Sequence, residues 1–277
     1  MKMFIAGAFS KNGTGGNIAA VCLLGEALTQ SQKAAIAKDL GYSETAYVST
    51  GKSSFKLEYF TPTEEVPLCG HATIAAFLVM REKLELNKDR YIIETKSGDL
   101  AVTLEKNIVF MEQNTPVFSD TISKHALEKC FDIEVACDKL PIKIGSTGLR
   151  DIILPVKSLE VLEIMKPNFD EITAISRTYD VVGVHAFSIA EQRVVCRNFA
   201  PLYGIPEESA TGTSNCVLAG YLWRYSDAKK DEYVFEQGYA LGKPSEITVR
   251  LSTNGDEITG VSVGGTGYLI EEKVVEV

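Results

Sequence analysis

The sequence predicts a mixed α/β chain (α+β in its strand-rich character) built from two similar halves. Three observations carry that expectation. Short apolar strand patterns alternate with a few helical ones along all 277 residues, with no low-complexity stretch and no flexible linker. One arrangement occurs twice: a strand, a Phe-x-Pro corner, a loop and an apolar helix opened by glycine. The composition, 45% hydrophobic and 23% charged, supplies ample core for one large domain or two modest ones.

The elements follow in order. Residues 3–9 form a strand, and a second apolar segment, Asn17 to Leu23, follows the turn Asn12-Gly13-Thr14-Gly15-Gly16. Residues 31–39 read as a helix with Ser31 as N-cap and Gly41 as its stop. Strands are expected at 45–48 and 55–59, the latter alternating with period two. Residues 71–81 make a strongly apolar helix, followed by strands near 91–94, 100–104 and 108–112. After Pro116 the pattern restarts with a helix near 121–130, strands near 142–145 and 151–154, and a helix near 168–177. Strands near 181–189 and 193–199 lead to a second apolar helix, Asn215 to Tyr225, and strands near 246–251 and 259–263 finish the pattern. The lobes expected are 1–117, with or without 266–277, and 118–265.

Composition excludes several classes of function. With 28 Lys+Arg against 37 Asp+Glu the net charge is −9, which disfavours nucleic acid and anionic membranes as partners. No run reaches the ~18 apolar residues of a membrane span. Lys2 followed by Met3 to Phe9 has the look of a short signal peptide, but it runs straight into a glycine-rich turn and reads better as a first strand. The six cysteines lack paired spacing, so a reduced, cytoplasmic chain is the economical expectation. None of the glycine turns completes the GxGxxG pattern of dinucleotide binding. Cys69 and His71 supply no evident third metal ligand, so neither cofactor nor metal is expected.

The glycine-opened helices are where chemistry becomes possible. A helix leaves its first N–H groups without internal partners and carries positive partial charge there. Gly70 and Gly212 let a carboxylate or developing oxyanion approach the backbone closely, although each could simply start a buried helix. His71, beside Gly70, could donate to a bound carboxylate or carry a proton; His125 reads as a surface residue and His185 as a satisfied core histidine. Glu44 sits where a turn meets an apolar strand, so its carboxyl is expected to have a raised pKa suited to proton transfer, a rim salt bridge being the plainer alternative. Glu207-Glu208 form a second acidic pair just before the second glycine turn, a solvated loop being the plainer alternative.

Taken together these stretches resemble the PhzF family, named for phenazine biosynthesis. The matching segments are Gly16-Asn17-Ile18-Ala19-Ala20-Val21, Ser43-Glu44-Thr45-Ala46, Phe60-Thr61-Pro62, Cys69-Gly70-His71-Ala72-Thr73, Phe199-Ala200-Pro201, Glu208-Ser209-Ala210-Thr211-Gly212-Thr213, Glu236-Gln237-Gly238 and Gly264-Gly265. The resemblance implies a diaminopimelate epimerase-like fold of two pseudo-symmetric lobes, each a sheet wrapped around a central helix, with the active site in the cleft between them. It implies a cofactor-independent isomerase, usually a homodimer, acting on a small carboxylate. Glu44 falls on the family's proton-transfer glutamate, Glu208 on its second acidic group, normally an Asp, and His71 on the histidine of its Gly-His pair. Asn17, Gly70, Thr73, Gly212 and Thr213 fall on substrate-binding positions. Ser209 replaces the family's usual Pro, and Lys243 stands where Arg is more common, which bears on the substrate more than on the reaction type. Racemases of this fold use two facing thiols; Cys69 matches the first, but Thr211 occupies the second position, and a hydroxyl cannot replace a thiolate base. The alternatives are a racemase or epimerase using Glu44 or Cys69, and a non-catalytic small-molecule binder.

Overall fold

The structure, a computed structural model, describes residues 1–51, 54–84, 86–227 and 229–275. It divides into two compact units, one comprising Met1–Glu112 with Gly264–Val277 and the other Gln113–Val263.

In the first unit the chain runs β1 (Lys2–Ala8), β2 (Asn17–Leu23), α1 (Gln30–Leu40), β3 (Glu44–Thr50), β4 (Phe55–Phe60), β5 (Glu65–Val66), α2 (Gly70–Lys83), β6 (Arg90–Thr95), β7 (Gly98–Glu105) and β8 (Ile108–Gln113). β1 pairs antiparallel with β2, β2 parallel with β3, and β3 antiparallel with β4. β4 takes β6 in parallel, and β6–β7–β8 continue as a meander. α2 is the central helix of this sheet, buried continuously from His71 to Met80. A helix that is apolar all round belongs in a core, and this one packs on β1, β2 and β3.

The second unit holds β9 (Val117–Thr121), β10 (Lys143–Ser146), β11 (Arg150–Pro155), α3 (Leu159–Ile164), α4 (Phe169–Tyr179), β12 (Gly183–Ala190), β13 (Arg193–Ala200), β14 (Ile205–Glu208), α5 (Gly212–Tyr225), β15 (Glu232–Gln237), β16 (Ser245–Asn254) and β17 (Glu257–Gly265). Its pairing repeats that of the first. β10–β11 are antiparallel, β11–β12 parallel, β12–β13 antiparallel, and β13 takes β15 in parallel. α5 is its buried central helix, and Ile152, Leu154, Val184 and Phe199 anchor an apolar cluster against α3 and α4. The final strand, β18 (Gly267–Val274), pairs antiparallel with β1 in the first unit.

Several local expectations need correction. α1 is capped by Thr29, not Ser31: Thr29 and Gln32 form a reciprocal capping box, while Gly41 ends the helix in the left-handed region at φ 68°. The helix expected near 121–130 is only a 3-10 turn, Lys124–Leu127, preceded by strand β9. Cys130 and Phe131 are drawn into backbone pairing with Asn168 and Pro167, which stops the helix after one turn. Glu207 and Glu208 belong to strand β14 rather than to a solvated loop. Strand β18 follows the segment that was expected to finish the pattern.

Candidate functional site

Each central helix begins in the same unusual way. Cys69 and Thr211, the residues before α2 and α5, are extended (φ −140° and −127°), and neither side chain caps its helix. Glycine follows in both cases, so the first-turn amides keep the partial positive charge that draws anions.

Around the start of α2 the structure gathers Asn17, Glu44, Cys69, Gly70, His71 and Thr73. Glu44 opens β3, beside Ala19 of β2, and Asn17 opens β2. The Glu44 Oε2 lies 3.0 Å from His71 Nε2, both side chains being largely buried. Among the described residues that oxygen finds no well-directed hydrogen-bond donor, so the contact acts chiefly through charge. Ser43 Oγ sits 3.3 Å from the same ring nitrogen, while Asn17 Nδ2 and Cys69 Sγ approach His71 Nδ1 at 3.2 and 3.5 Å. Thr73 is fully buried; its hydroxyl donates to the Cys69 carbonyl at 2.7 Å and meets Tyr59 Oη at 2.6 Å. It braces the first turn of the helix.

These neighbours reverse one electrostatic expectation. Burial alone raises the Glu44 pKa, but the charge of His71 and the contacts with His71 and Ser43 outweigh it and hold the carboxyl below its ordinary value. Burial pulls His71 down, yet Cys69 and Glu44 together lift it well above the ordinary histidine value. Glu44 is therefore an ionised carboxylate facing an imidazolium, not the high-pKa acid expected from its position. Burial, then the Glu44 charge, push the Cys69 thiol up, against which the His71 charge and contact act. Glu44 also supplies the third donor that the spacing of Cys69 and His71 did not reveal. One O, one S and one N donor lie within 4.8 Å of one another, a mixed set that a divalent cation could use.

At the start of α5 the grouping differs. Glu208, half-buried at the end of β14, accepts from Thr211 Oγ1 at 2.7 Å. Gln237, at the end of β15, donates from Nε2 to the Glu208 carbonyl at 2.8 Å and to Thr211 Oγ1 at 3.1 Å. Gly212 is buried and Thr213 partly exposed, the Thr213 carbonyl accepting from Thr147 Oγ1 at 3.5 Å. Sequence reasoning missed Asp151, which is 2% exposed and accepts from Ser214 Oγ at 2.6 Å. Burial, aided by the Glu208 charge, raises its pKa to about 7. Nothing in the strand Arg150–Pro155 marks it, because its partner comes from α5. Gln237 lay within a segment already noted, Glu236-Gln237-Gly238, but its role depends on the strand end that carries it.

Comparisons with known proteins agree with this architecture. The family model described as phenazine biosynthesis-like protein matches residues 6–273. The uncharacterized isomerase YfhB of Bacillus subtilis is 31% identical, covering 98% of this chain and 97% of its own. The uncharacterized isomerase YddE of Escherichia coli K12 is 30% identical over 95% of this chain and 94% of its own. The crystal structure of a PhzF-family phenazine biosynthesis protein from Bacillus anthracis superposes with a TM-score of 0.91 at 29% identity, covering 100% and 99% of the two chains. A probable proline racemase from Agrobacterium radiobacter, 10% identical, shares the fold at a TM-score of 0.63. Fold and relatives define an isomerase of the diaminopimelate epimerase-like class. Within that class, the chain belongs to the PhzF family.

Proposed function

We propose that the protein moves a proton between carbon atoms of a small carboxylate substrate, with Glu44 as the group that takes and returns it. The observation that supports this most directly is the ionised Glu44 carboxylate, buried against His71 at the head of α2. An ionised carboxylate can accept a proton from a carbon next to an activating group; protonated, it can deliver that proton to another carbon of the same molecule. No atom is gained or lost, and general base catalysis of this kind contributes about 10²–10⁴-fold. A carboxylate with a lowered pKa is a weak base, so the negative charge left on the substrate must be stabilised. Gly70 and His71, with Gly212 and Thr213, are the groups to which we assign that task. Asn17 holds the imidazole of His71, and Glu208 orients an amine or hydroxyl of the substrate. The reading carries with it a homodimer, to be checked by sedimentation.

Two-thiol racemisation has less support. Its first thiol would be Cys69, whose ionisation burial opposes, and its second position is Thr211, whose hydroxyl already donates to Glu208. The test is NMR detection of deuterium uptake from D2O by a pool of small amino, hydroxy and unsaturated carboxylates. Wild type should wash a C–H signal out, and Glu44→Gln should not. Undiminished exchange in that variant removes Glu44 from the chemistry; exchange abolished by thiol alkylation, with substrate protecting, moves it to Cys69.

A further inference from the structure

The proposed proton transfer gives Cys69 no task, yet its sulfur stands beside the groups that carry the chemistry. Cys69 Sγ lies 4.0 Å from His71 Nε2, the nitrogen that faces Glu44 Oε2 at 3.0 Å, and the three donor atoms fall within 4.8 Å of one another. The repeated frame does not demand this set. Thr211 and Thr213 stand at the same places in α5, where neither can supply a thiolate or an imidazole. Among the described residues no other three His, Cys, Asp or Glu donors gather so closely.

A tetrahedral Zn²⁺, with bonds of about 2.0 Å to nitrogen and oxygen and about 2.3 Å to sulfur, sets N and O about 3.3 Å apart and N and S about 3.5 Å apart. Both separations at His71 Nε2 are within about half an ångström of those values. Sulfur and carboxylate oxygen must close to about 3.5 Å, a movement within reach of the long Glu44 side chain. Ser43 Oγ, 3.3 Å from Nε2, has to yield that nitrogen, and it keeps the Ile18 carbonyl at 3.4 Å as an acceptor. Once bound, the set is a carboxylate, a thiolate and a neutral imidazole, whose two negative charges balance the cation in this largely buried place. His71 Nδ1 then keeps its proton, and the Asn17 amide 3.2 Å away can turn its carbonyl oxygen to accept it, as an outer partner of a metal-bound histidine does. These donor types favour Zn²⁺, Co²⁺ or Cd²⁺ over Mg²⁺ and Ca²⁺, which take oxygen.

We infer that Glu44, Cys69 and His71 form a binding site for a thiophilic divalent cation such as Zn²⁺, and that the bound cation shuts the enzyme off. Binding rests on the three donors alone. Inhibition rests on the proposed role of Glu44. A carboxylate oxygen bonded to Zn²⁺ holds its electron pair too tightly to take a proton from carbon, and His71 gives up the Nε2 proton with which it stabilises developing charge. The cation is a brake, not the catalyst.

The first readouts need no substrate. Titrating the metal-free full chain with Co²⁺ should bring up a sulfur-to-cobalt charge-transfer band in the near ultraviolet that saturates at one Co²⁺ per chain, and Zn²⁺ should abolish it. Cys69→Ser should remove the band, while Cys137→Ser, which changes the least buried of the free thiols, should keep it. No band in wild type, or a band that survives Cys69→Ser, overturns the site. Should Cys69→Ser fail to fold, loss or survival of the band in His71→Gln decides the same point. Glu44→Gln and His71→Gln should each weaken Zn²⁺ binding at least about 100-fold, beyond the ~10–100-fold that an outer partner is worth, and a smaller loss in either overturns the three-donor set. Where deuterium exchange has identified a substrate, Zn²⁺ should suppress it in wild type and a chelator should restore it. Cys69→Ser should keep exchange with at least about 10-fold less sensitivity to Zn²⁺. Undiminished exchange with Zn²⁺ bound, or exchange that requires the metal, overturns the brake, whereas failure of the isomerase reading shows separately as no exchange in wild type with or without metal.

Discussion

α2 and α5 invite comparison because they differ so little in build. Both have 14 residues, an extended uncapped residue before glycine, and a C-terminal N–H bonded back to the last turn. Even the fourth helical residue does the same work: Thr73 Oγ1 donates to the Cys69 carbonyl at 2.7 Å, and Asn215 Nδ2 to the Thr211 carbonyl at 2.8 Å. The strands show where they part. Phe60 pairs with Thr45, and Phe199 with Val184, so the counterpart of Glu44 is Gly183. A Cβ there would lie 1.9 Å from the Phe199 carbonyl oxygen, leaving no room for a side chain. A buried carboxyl comes instead from Asp151, the strand partner of Gly183. Glu44 faces an imidazolium and is pushed down; Asp151 faces a serine hydroxyl and the Glu208 charge and rises to about 7. On equivalent frames, the neighbouring cation decides which carboxyl is ionised at neutral pH.

The strongest way to break this contrast is Glu44→Gln, which should cut deuterium exchange by about 10²–10⁴-fold with folding retained, as circular dichroism would show. Asp151→Asn tests the other side. An acid whose pKa is raised in the fold binds more protons folded than unfolded, so wild-type stability should fall as pH climbs from about 4 to 7. Asp151→Asn removes that loss, and its gain over wild type in urea unfolding should grow across this window to at most about 4 kcal/mol, at ~1.4 kcal/mol per pKa unit. A pH-independent difference would show that Asp151 is not the group that titrates.

His71→Gln removes the cation that holds Glu44 down, leaving burial to raise it. The acid limb of the exchange rate should move to higher pH. Stability supplies an independent sign. The depressed Glu44 stabilises above its unfolded pKa and stops as pH falls through the folded value; the raised His71 stabilises below its unfolded pKa and stops as pH rises through the folded one. The Tm deficit of His71→Gln should therefore be greatest between about pH 4.3 and 6.5. The smallest effect belongs to Gly70→Ala. The added Cβ meets only Met111 Cε, at 3.2 Å, the free end of a flexible side chain. Tm should change by no more than a few degrees, so any rise in KM reports a ligand close to the backbone.

The mixed α/β class and most strands were legible because their apolar residues alternate locally. The central helices were legible from their glycine starts. What escaped depended on partners remote in sequence. The one-turn fate of residues 124–127 is set by pairing near Pro167, and the charge state of Glu44 is set by His71, a contact that no spacing between positions 44 and 71 displays. Asp151 escaped for the same reason, its meaning supplied by Ser214.

Strand β18 gives the first unit a discontinuous chain: β1 pairs on one side with β2, made soon after it, and on the other with the segment Gly267–Val274, made after the second unit. During synthesis, β1 must wait with its outer edge unpaired while the whole of Gln113–Val263 emerges. The second unit, contiguous in sequence, has all its partners much sooner. A nascent chain halted before Gly267 would present an open apolar strand edge, the kind of surface on which chains join one another or chaperones dwell. The sheet that holds the first strand is thus completed only by a segment that follows the second unit in sequence.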